Sequence, residues 1–132
     1  MSEQELCRLA VQMRERAYCP YSHFAVGAAL ECADGSVYTG CNIENAAYSP
    51  SLCAERVAVA KAVSEGKRSF TRLAVAGGSE TVCVPCGVCR QVLAEFAPEL
   101  ELLCVSGTGE VQRFSLPQLL PQSFNADFLD QR

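Results

Sequence analysis

Three cysteines constrain this chain more than any other residues: Cys53, and the pair in Pro85-Cys86-Gly87-Val88-Cys89. Two cysteines with two residues between them take adjacent corners of a tetrahedral zinc site when they open a helix. Cys53, 33 residues before Cys86, would bring a third thiolate from another element. A fold that uses all three must therefore draw the starts of two distant segments together. Structural zinc sites close with four protein ligands, whereas catalytic sites take three and leave a place for water. No fourth ligand is evident from the spacing. Glu55, two residues past Cys53, is poorly placed as a ligand. A carboxylate beside a metal-activated water is, however, what a proton shuttle requires.

Other readings of the same residues stay open at this level. Cys83, Cys86 and Cys89 form C-x-x-C-x-x-C, the beginning of a ferredoxin-type run. Its continuation fails, because position 93 is Leu and no Cys-Pro follows. With Cys53 as a distant fourth ligand, an iron–sulfur or structural metal protein built on Cys53, Cys83, Cys86 and Cys89 remains an alternative. In that case Glu55 and Arg90-Gln91 would have no special purpose. A thioredoxin-like pair fits less well, since Cys-Gly-Val-Cys does not follow the first strand of a βαβ unit. Arg56 reads equally as a donor to thiolate sulfur or as a surface arginine on a helix. The lone His23, in a loop before a strand, reads as a surface residue.

The 132 residues are 49% hydrophobic and 20% charged, which suits a single domain spanning 1–132 with one core. Net charge is −4, and no basic run is longer than Lys67-Arg68. A polynucleotide-binding protein normally carries a basic stripe, so nucleic acid is not expected as a partner. If the substrate is a base, it is expected as a free nucleoside. No signal peptide is read at the N-terminus and no apolar run reaches spanning length, so neither export nor a membrane is expected. Nine cysteines without a secreted disulfide spacing suit a reducing cytoplasm. Cys7, Cys19, Cys32, Cys41 and Cys104 are then expected as small apolar residues in or near the core.

Ser2-Glu3-Gln4-Glu5 reads as a capping box ahead of Leu6, Leu9, Ala10, Met13 and Ala17 at helical spacing. A first helix is expected from about Glu3 to Ala17, stopped by Pro20. Phe24 to Cys32 reads as a strand covered on both faces. Asp34-Gly35 turns it back into an antiparallel strand from Val37 to Cys41. An irregular polar loop, Asn42 to Pro50, lies at the end of the sheet, where binding groups often sit. A second helix is expected from about Leu52 to Ser64, with a small-residue face of Ala54, Val57, Ala58 and Ala62. Phe70 to Ala76 is the third strand. A third helix begins near Cys86, with Val88, Val92 and Phe96 as its apolar stripe, and ends before Pro98. Leu100 to Val105 is the fourth strand, and Val111 to Phe114 returns antiparallel to it. Ser115-Leu116-Pro117-Gln118 starts another helix, and Phe124, Phe128 and Leu129 would cover a core face. The order predicts an α/β fold, a five-stranded mixed sheet with helices on both faces and the third and fourth strands parallel.

Gly40-Cys41-Asn42-Ile43-Glu44-Asn45-Ala46, Cys53-Ala54-Glu55-Arg56 and Pro85-Cys86-Gly87-Val88-Cys89-Arg90-Gln91 together resemble the homotetrameric cytidine deaminases. The likeness runs from Tyr18-Cys19-Pro20-Tyr21-Ser22 to Leu119-Leu120-Pro121. Cys-x-Glu followed by Pro-Cys-x-x-Cys is similar to the zinc deaminase signature in its all-cysteine form. The resemblance implies a three-layer α-β-α sandwich and one Zn²⁺ per chain on Cys53, Cys86 and Cys89. It implies hydrolysis of cytidine and 2′-deoxycytidine to uridine and 2′-deoxyuridine plus ammonia, in pyrimidine salvage. In that chemistry zinc-held hydroxide attacks C4 while Glu55 moves the protons, and Arg56 tunes the thiolates. Phe24 would stack on the base, Asn42 and Glu44 would hold the ribose, and Ala54 would donate its backbone N–H to the base. Ala46 and Tyr48 would complete the substrate-binding loop. Phe124 would reach into a neighbouring subunit's pocket. From chemistry alone, Asn42 and Glu44 read equally as turn formers. Another aminopyrimidine nucleoside is the alternative substrate. Ser49-Pro50-Ser51-Leu52 and the extra Cys83 depart from the family's usual pattern.

Overall fold

Alternation along the strands sorts the core into two layers, one on each face of a single sheet. The computed structural model describes residues 1–129. Its strands are β1 (Gly27–Cys32), β2 (Val37–Cys41), β3 (Phe70–Ala76), β4 (Glu101–Val105) and β5 (Val111–Ser115), in the order β2-β1-β3-β4-β5. β3 and β4 are parallel, and every other neighbouring pair is antiparallel. Successive side chains leave a strand on opposite faces. Ala28, Leu30, Leu73, Val75, Leu102 and Cys104 therefore share one face, and Ala29, Ala74, Ala76, Leu103 and Val105 the other.

The second face is covered by α1 (Glu3–Met13), which buries Leu6, Cys7 and Ala10. The first face is covered by α2 (Ala54–Ser64) and α3 (Gly87–Phe96) through Ala54, Ala58, Val59, Ala62 and Leu93. This is the expected mixed five-stranded sheet between helical layers. Leu73 and Leu102 are wholly buried, so truncating either to Ala would cost about 2–5 kcal/mol. Of the five cysteines expected in or near the core, Cys7, Cys32 and Cys104 are buried, while Cys19 and Cys41 are half-buried.

Four local differences from the sequence reading have physical causes. α1 ends at Met13 and tightens into a 3₁₀ turn, Arg14–Arg16; there Arg14 Nε donates to Ala25 O at 3.0 Å. β1 begins at Gly27 and not at Phe24, because the Asn42 side chain takes the place of a strand partner for residues 24–26. Val26 N donates to Asn42 Oδ1 at 2.9 Å, and Asn42 Nδ2 donates to Phe24 O at 2.8 Å. On α3 the buried pair is Cys89 and Leu93, and Val88 is exposed; turning Cys89 inward rotates its predecessor out. At the C-terminus, α4 (Leu116–Leu119) carries a capping box between Ser115 and Gln118, and α5 (Ala126–Leu129) follows. Phe124, Phe128 and Leu129 do not cover a core face in this chain: they are 58%, 57% and 57% exposed.

Candidate active site and metal centre

Ile43 threads three loops together. It pairs with Tyr18 in a parallel bridge and with Leu52 in an antiparallel one. Glu44 N donates to Tyr18 O at 2.8 Å, and Ile43 N donates to Leu52 O at 2.9 Å. The bridge to Leu52 delays α2 to Ala54 and makes Cys53 its N-cap, in extended conformation. Cys86 is likewise the N-cap of α3. Both ligand-bearing segments thus present helix N-termini, where backbone N–H groups and the helix dipole favour thiolates.

The Sγ atoms of Cys53, Cys86 and Cys89 all lie within 4.8 Å of one another, and those of Cys53 and Cys86 are 3.8 Å apart. Tetrahedral coordination at about 2.3 Å from zinc places sulfurs about 3.8 Å apart, so the trio fits the ion. The Cys53–Cys89 pair gives up its first proton easily and its second with difficulty. Cys53 is pushed down to about 5, first by the hydrogen bond from Cys89 and then by Arg56, while that same hydrogen bond raises Cys89. Arg56 Nη2 sits 3.6 Å from Cys53 Sγ and 3.3 Å from Ser51 O. Its Nε is buried without a hydrogen-bond partner. A guanidinium with an unspent donor against a thiolate cluster suits a site whose ligands carry negative charge. Cys83 stands outside the trio, and burial pushes its thiol up to about 11. Cys83 lines the same cavity, but its sulfur is not among the three that lie within 4.8 Å of one another.

Glu55 is one of two buried polar or charged residues in the described chain, at 3% exposure. Burial pushes its carboxyl up to about 7, against hydrogen bonds from its own N–H and the Cys89 thiol that pull down. It lines a cavity of about 450 Å³ together with Phe24, Asn42, Glu44, Tyr48, Ala54, Arg56, Cys53 and Cys86. Cys89 is fully buried next to it. Most of the expected site residues therefore converge on one cavity, although they span positions 24 to 86. Ala46 and Phe124 do not line it; Ala46 is exposed on the loop between Glu44 and Tyr48.

The far end of the cavity is a hydrogen-bonded corner. Glu44 Oε1 accepts from Tyr21 N at 3.0 Å and Ser22 N at 3.1 Å, and Oε2 accepts from the Ser22 hydroxyl. The Ser22 bond, first of these, holds the Glu44 carboxyl below the usual carboxylate range. Tyr48 sits at φ 61°, in the left-handed region that non-glycine residues rarely enter. Its ring meets Tyr21 edge-on, with centroids 6.2 Å apart. Asn42 and Glu44 are thus the turn organisers that chemistry alone suggested, and they also face the cavity. Ser22, Ser51, Val26 and Val84 line it too and were missed. Only the placement of Ser22 within Tyr18-Cys19-Pro20-Tyr21-Ser22 pointed to any of them.

The model of the cytidine and deoxycytidylate deaminase zinc-binding region matches residues 1–103. A cytidine deaminase of Sporosarcina psychrophila is 46% identical over 130 residues, covering 98% of this chain and 96% of that protein. One from Halalkalibacterium halodurans is 46% identical over 128 residues, covering 96% and 97%. The crystal structure of cytidine deaminase from Burkholderia pseudomallei superposes with a TM-score of 0.91 at 44% identity, covering 94% of this chain and all of that one. Matches over nearly the whole length, joined to the same five-stranded fold and a three-thiolate cluster able to hold a metal ion, show that this chain belongs to the cytidine deaminase family of zinc-dependent hydrolases.

Proposed function

We propose that residues 1–132 act as one catalytic domain that hydrolyses free cytidine and 2′-deoxycytidine to uridine and 2′-deoxyuridine, releasing ammonia. The observation that carries this reading is the buried Glu55 carboxyl on the same cavity wall as the thiolates of Cys53 and Cys86. Zinc held by Cys53, Cys86 and Cys89, when bound, supplies Lewis acidity that makes water a nucleophile near neutral pH. Glu55 takes a proton from the attacking water and passes it to ring N3, so that C4 becomes electrophilic. It then takes the proton of the hydroxyl added at C4 and delivers it to the amino group, which leaves as ammonia while C4 keeps the oxygen as a carbonyl and N3 keeps its hydrogen. A carboxyl raised towards neutrality is suited to both halves of that task. Arg56 balances the negative charge of three thiolates, which would otherwise blunt the ion.

The remaining wall holds the nucleoside. Phe24 stacks on the base, and the Ala54 N–H, one of the donors that a helix start leaves unspent, turns to a base acceptor. Asn42 spends one N–H and one lone pair on Phe24 and Val26, which leaves one of each for the ribose. Glu44 accepts three hydrogen bonds, and its remaining lone pair takes a ribose hydroxyl. Its negative charge disfavours a 5′-phosphate, which supports a free nucleoside over a nucleotide. Ala46 and Tyr48 shape the loop around the sugar. The exposed Phe124 supports a homotetramer in which each ring completes a neighbour's pocket. Such an enzyme would serve pyrimidine salvage in the cytoplasm. No helix among the described residues is long and apolar enough to cross a membrane.

The test is turnover of cytidine by purified protein, with zinc, iron and labile sulfide measured on the same sample. One zinc per chain, ammonia release, and loss of several orders of magnitude in Glu55→Gln with zinc retained are expected. Iron with sulfide, or a fully active Glu55→Gln, overturns the reading.

A further inference from the structure

Arg90 and Gln91 follow the ligand Cys89 directly, yet neither lines the cavity. Their side chains point to the C-terminal arm. Gln91 Nε2 donates to Phe124 O at 2.7 Å, and Gln91 Oε1 accepts from Phe124 N at 3.3 Å. One primary amide thus addresses both backbone groups of one residue, as a strand partner would. Arg90 makes the companion link: Nε donates to Pro85 O at 2.8 Å and Nη1 donates to Leu119 O at 2.9 Å. Pro85 precedes the ligand Cys86, and Leu119 ends α4, from which the arm departs. Two consecutive side chains therefore tie both ends of the zinc-binding motif to the segment that carries Phe124.

The Phe124 ring itself is not held by a core. It is 58% exposed and stacked on Phe128, with centroids 5.1 Å apart and planes 13° from parallel. An aromatic ring presented outward contributes its full contact to binding when its backbone is already fixed. Otherwise the ordering entropy is charged to the substrate. The amide clasp supplies that fixing from the same helix that carries Cys89.

We propose that Gln91 is a positioning residue for the reaction. Its amide fixes the Phe124 backbone on its own α3, so that the ring is held in place for the neighbouring pocket it completes, and Arg90 keeps the arm in register with Pro85-Cys86. This rests on the reading of Phe124 as a substrate-stacking residue. The chemistry is specific to glutamine. A glutamate of the same size can accept from Phe124 N but sets an oxygen against Phe124 O. A methionine fills the space and makes neither bond.

The zinc-loaded enzyme with Gln91→Met and Gln91→Glu tests this, in the parent and in a Phe124→Ala background that keeps the backbone groups. Hydrogen exchange at the Phe124 amide should accelerate about tenfold or more in Gln91→Met, which removes its acceptor without global unfolding, and less in Gln91→Glu, which keeps that acceptor and loses only the bond to Phe124 O. The Michaelis constant for cytidine should rise roughly tenfold, the scale of a lost base–aromatic stack. kcat should stay within about twofold, as expected when binding common to ground and transition states is removed. Zinc content should not change. In the Phe124→Ala background, either Gln91 variant should add less than about twofold, because coupled residues are not additive. An equal penalty in both backgrounds, or an unprotected Phe124 amide in the parent, overturns the proposal alone. A Phe124→Ala single variant with the parent's Michaelis constant overturns the stacking reading, and with it the purpose assigned to Gln91.

Discussion

Gly40 lies against the first turn of α2 so closely that a Cβ there would stand 2.3 Å from Ala54 O and 2.7 Å from Ala58 N. Glycine is therefore what lets the helix carrying Glu55 rest directly on β2. The small-residue face of α2 and the missing side chain of Gly40 make one contact, and Cys53 is placed by it.

Gly40→Ala should push the start of α2 off the sheet. Overpacking of this kind costs typically about 1–3 kcal/mol, which corresponds to a fall of roughly 3–15 °C in the melting midpoint. Zinc affinity should weaken alongside, since Cys53 moves with the helix. Thermal melts and competition with a chelator measure both. A variant with the parent's midpoint and affinity would show that α2 has room to adjust.

Cys89→Ala and Cys83→Ala separate ligand from bystander. Cys89 is fully buried within the sulfur trio, so its loss should abolish tight zinc binding and lower stability, because metal binding contributes to folding. Cys83→Ala should retain one zinc per chain and most of the activity. Zinc loss on removing Cys83 would restore a four-cysteine site.

Mixed oligomers test whether the pocket is shared between chains, as proposed. Chains with Phe124→Ala and chains with Glu55→Gln should each be impaired, while their mixture forms some pockets with both groups intact. Activity above the weighted sum of the two parents is expected. Mixed assemblies that form but show no rescue would return Phe124 to its own chain.

The acid limb of stability should follow Glu31. Arg72 binds it through two hydrogen bonds, Nε to Oε1 at 2.8 Å and Nη2 to Oε2 at 2.6 Å, and Thr71 adds a third at 2.7 Å. The Arg72 bonds, aided by Thr71, pull the carboxyl from 4.5 down to about 2. A depressed carboxylate contributes stability that is complete above 4.5 and is lost as pH falls through 2. Glu31→Gln should thus be less stable than the parent at pH 6 by on the order of 1–3 kcal/mol, a gap that closes towards pH 2. Glu3 and Asp34 are also depressed, by Arg113 and Lys67. Their loss is common to both proteins and cancels in the difference. A pH-independent gap in denaturant titrations would assign the effect to packing.

What could be read from the sequence alone was whatever is local along it. Cys53 with Glu55, and Cys86 with Cys89, lie within one helical turn, so residue type and spacing carry their chemistry. The period of each apolar stretch is equally local, and the pairings of β1 with β2, β3 with β4 and β4 with β5 follow from the segments that join them, whereas the antiparallel pairing of β1 with β3 does not. The tertiary structure decided what depends on partners far away in the chain. Residues 24–26 leave the sheet because the Asn42 amide outcompetes a strand neighbour for their backbone. Val88 turns to solvent because Cys89 must turn inward. Ser22 enters the site only because Glu44 draws its loop across. Phe124, apolar by type, was expected on a core face, but Gln91 clasps its backbone from 33 residues away and its ring is left facing outward. A hydrogen bond between side chain and distant backbone has no period and no spacing, and only the folded chain shows where it forms.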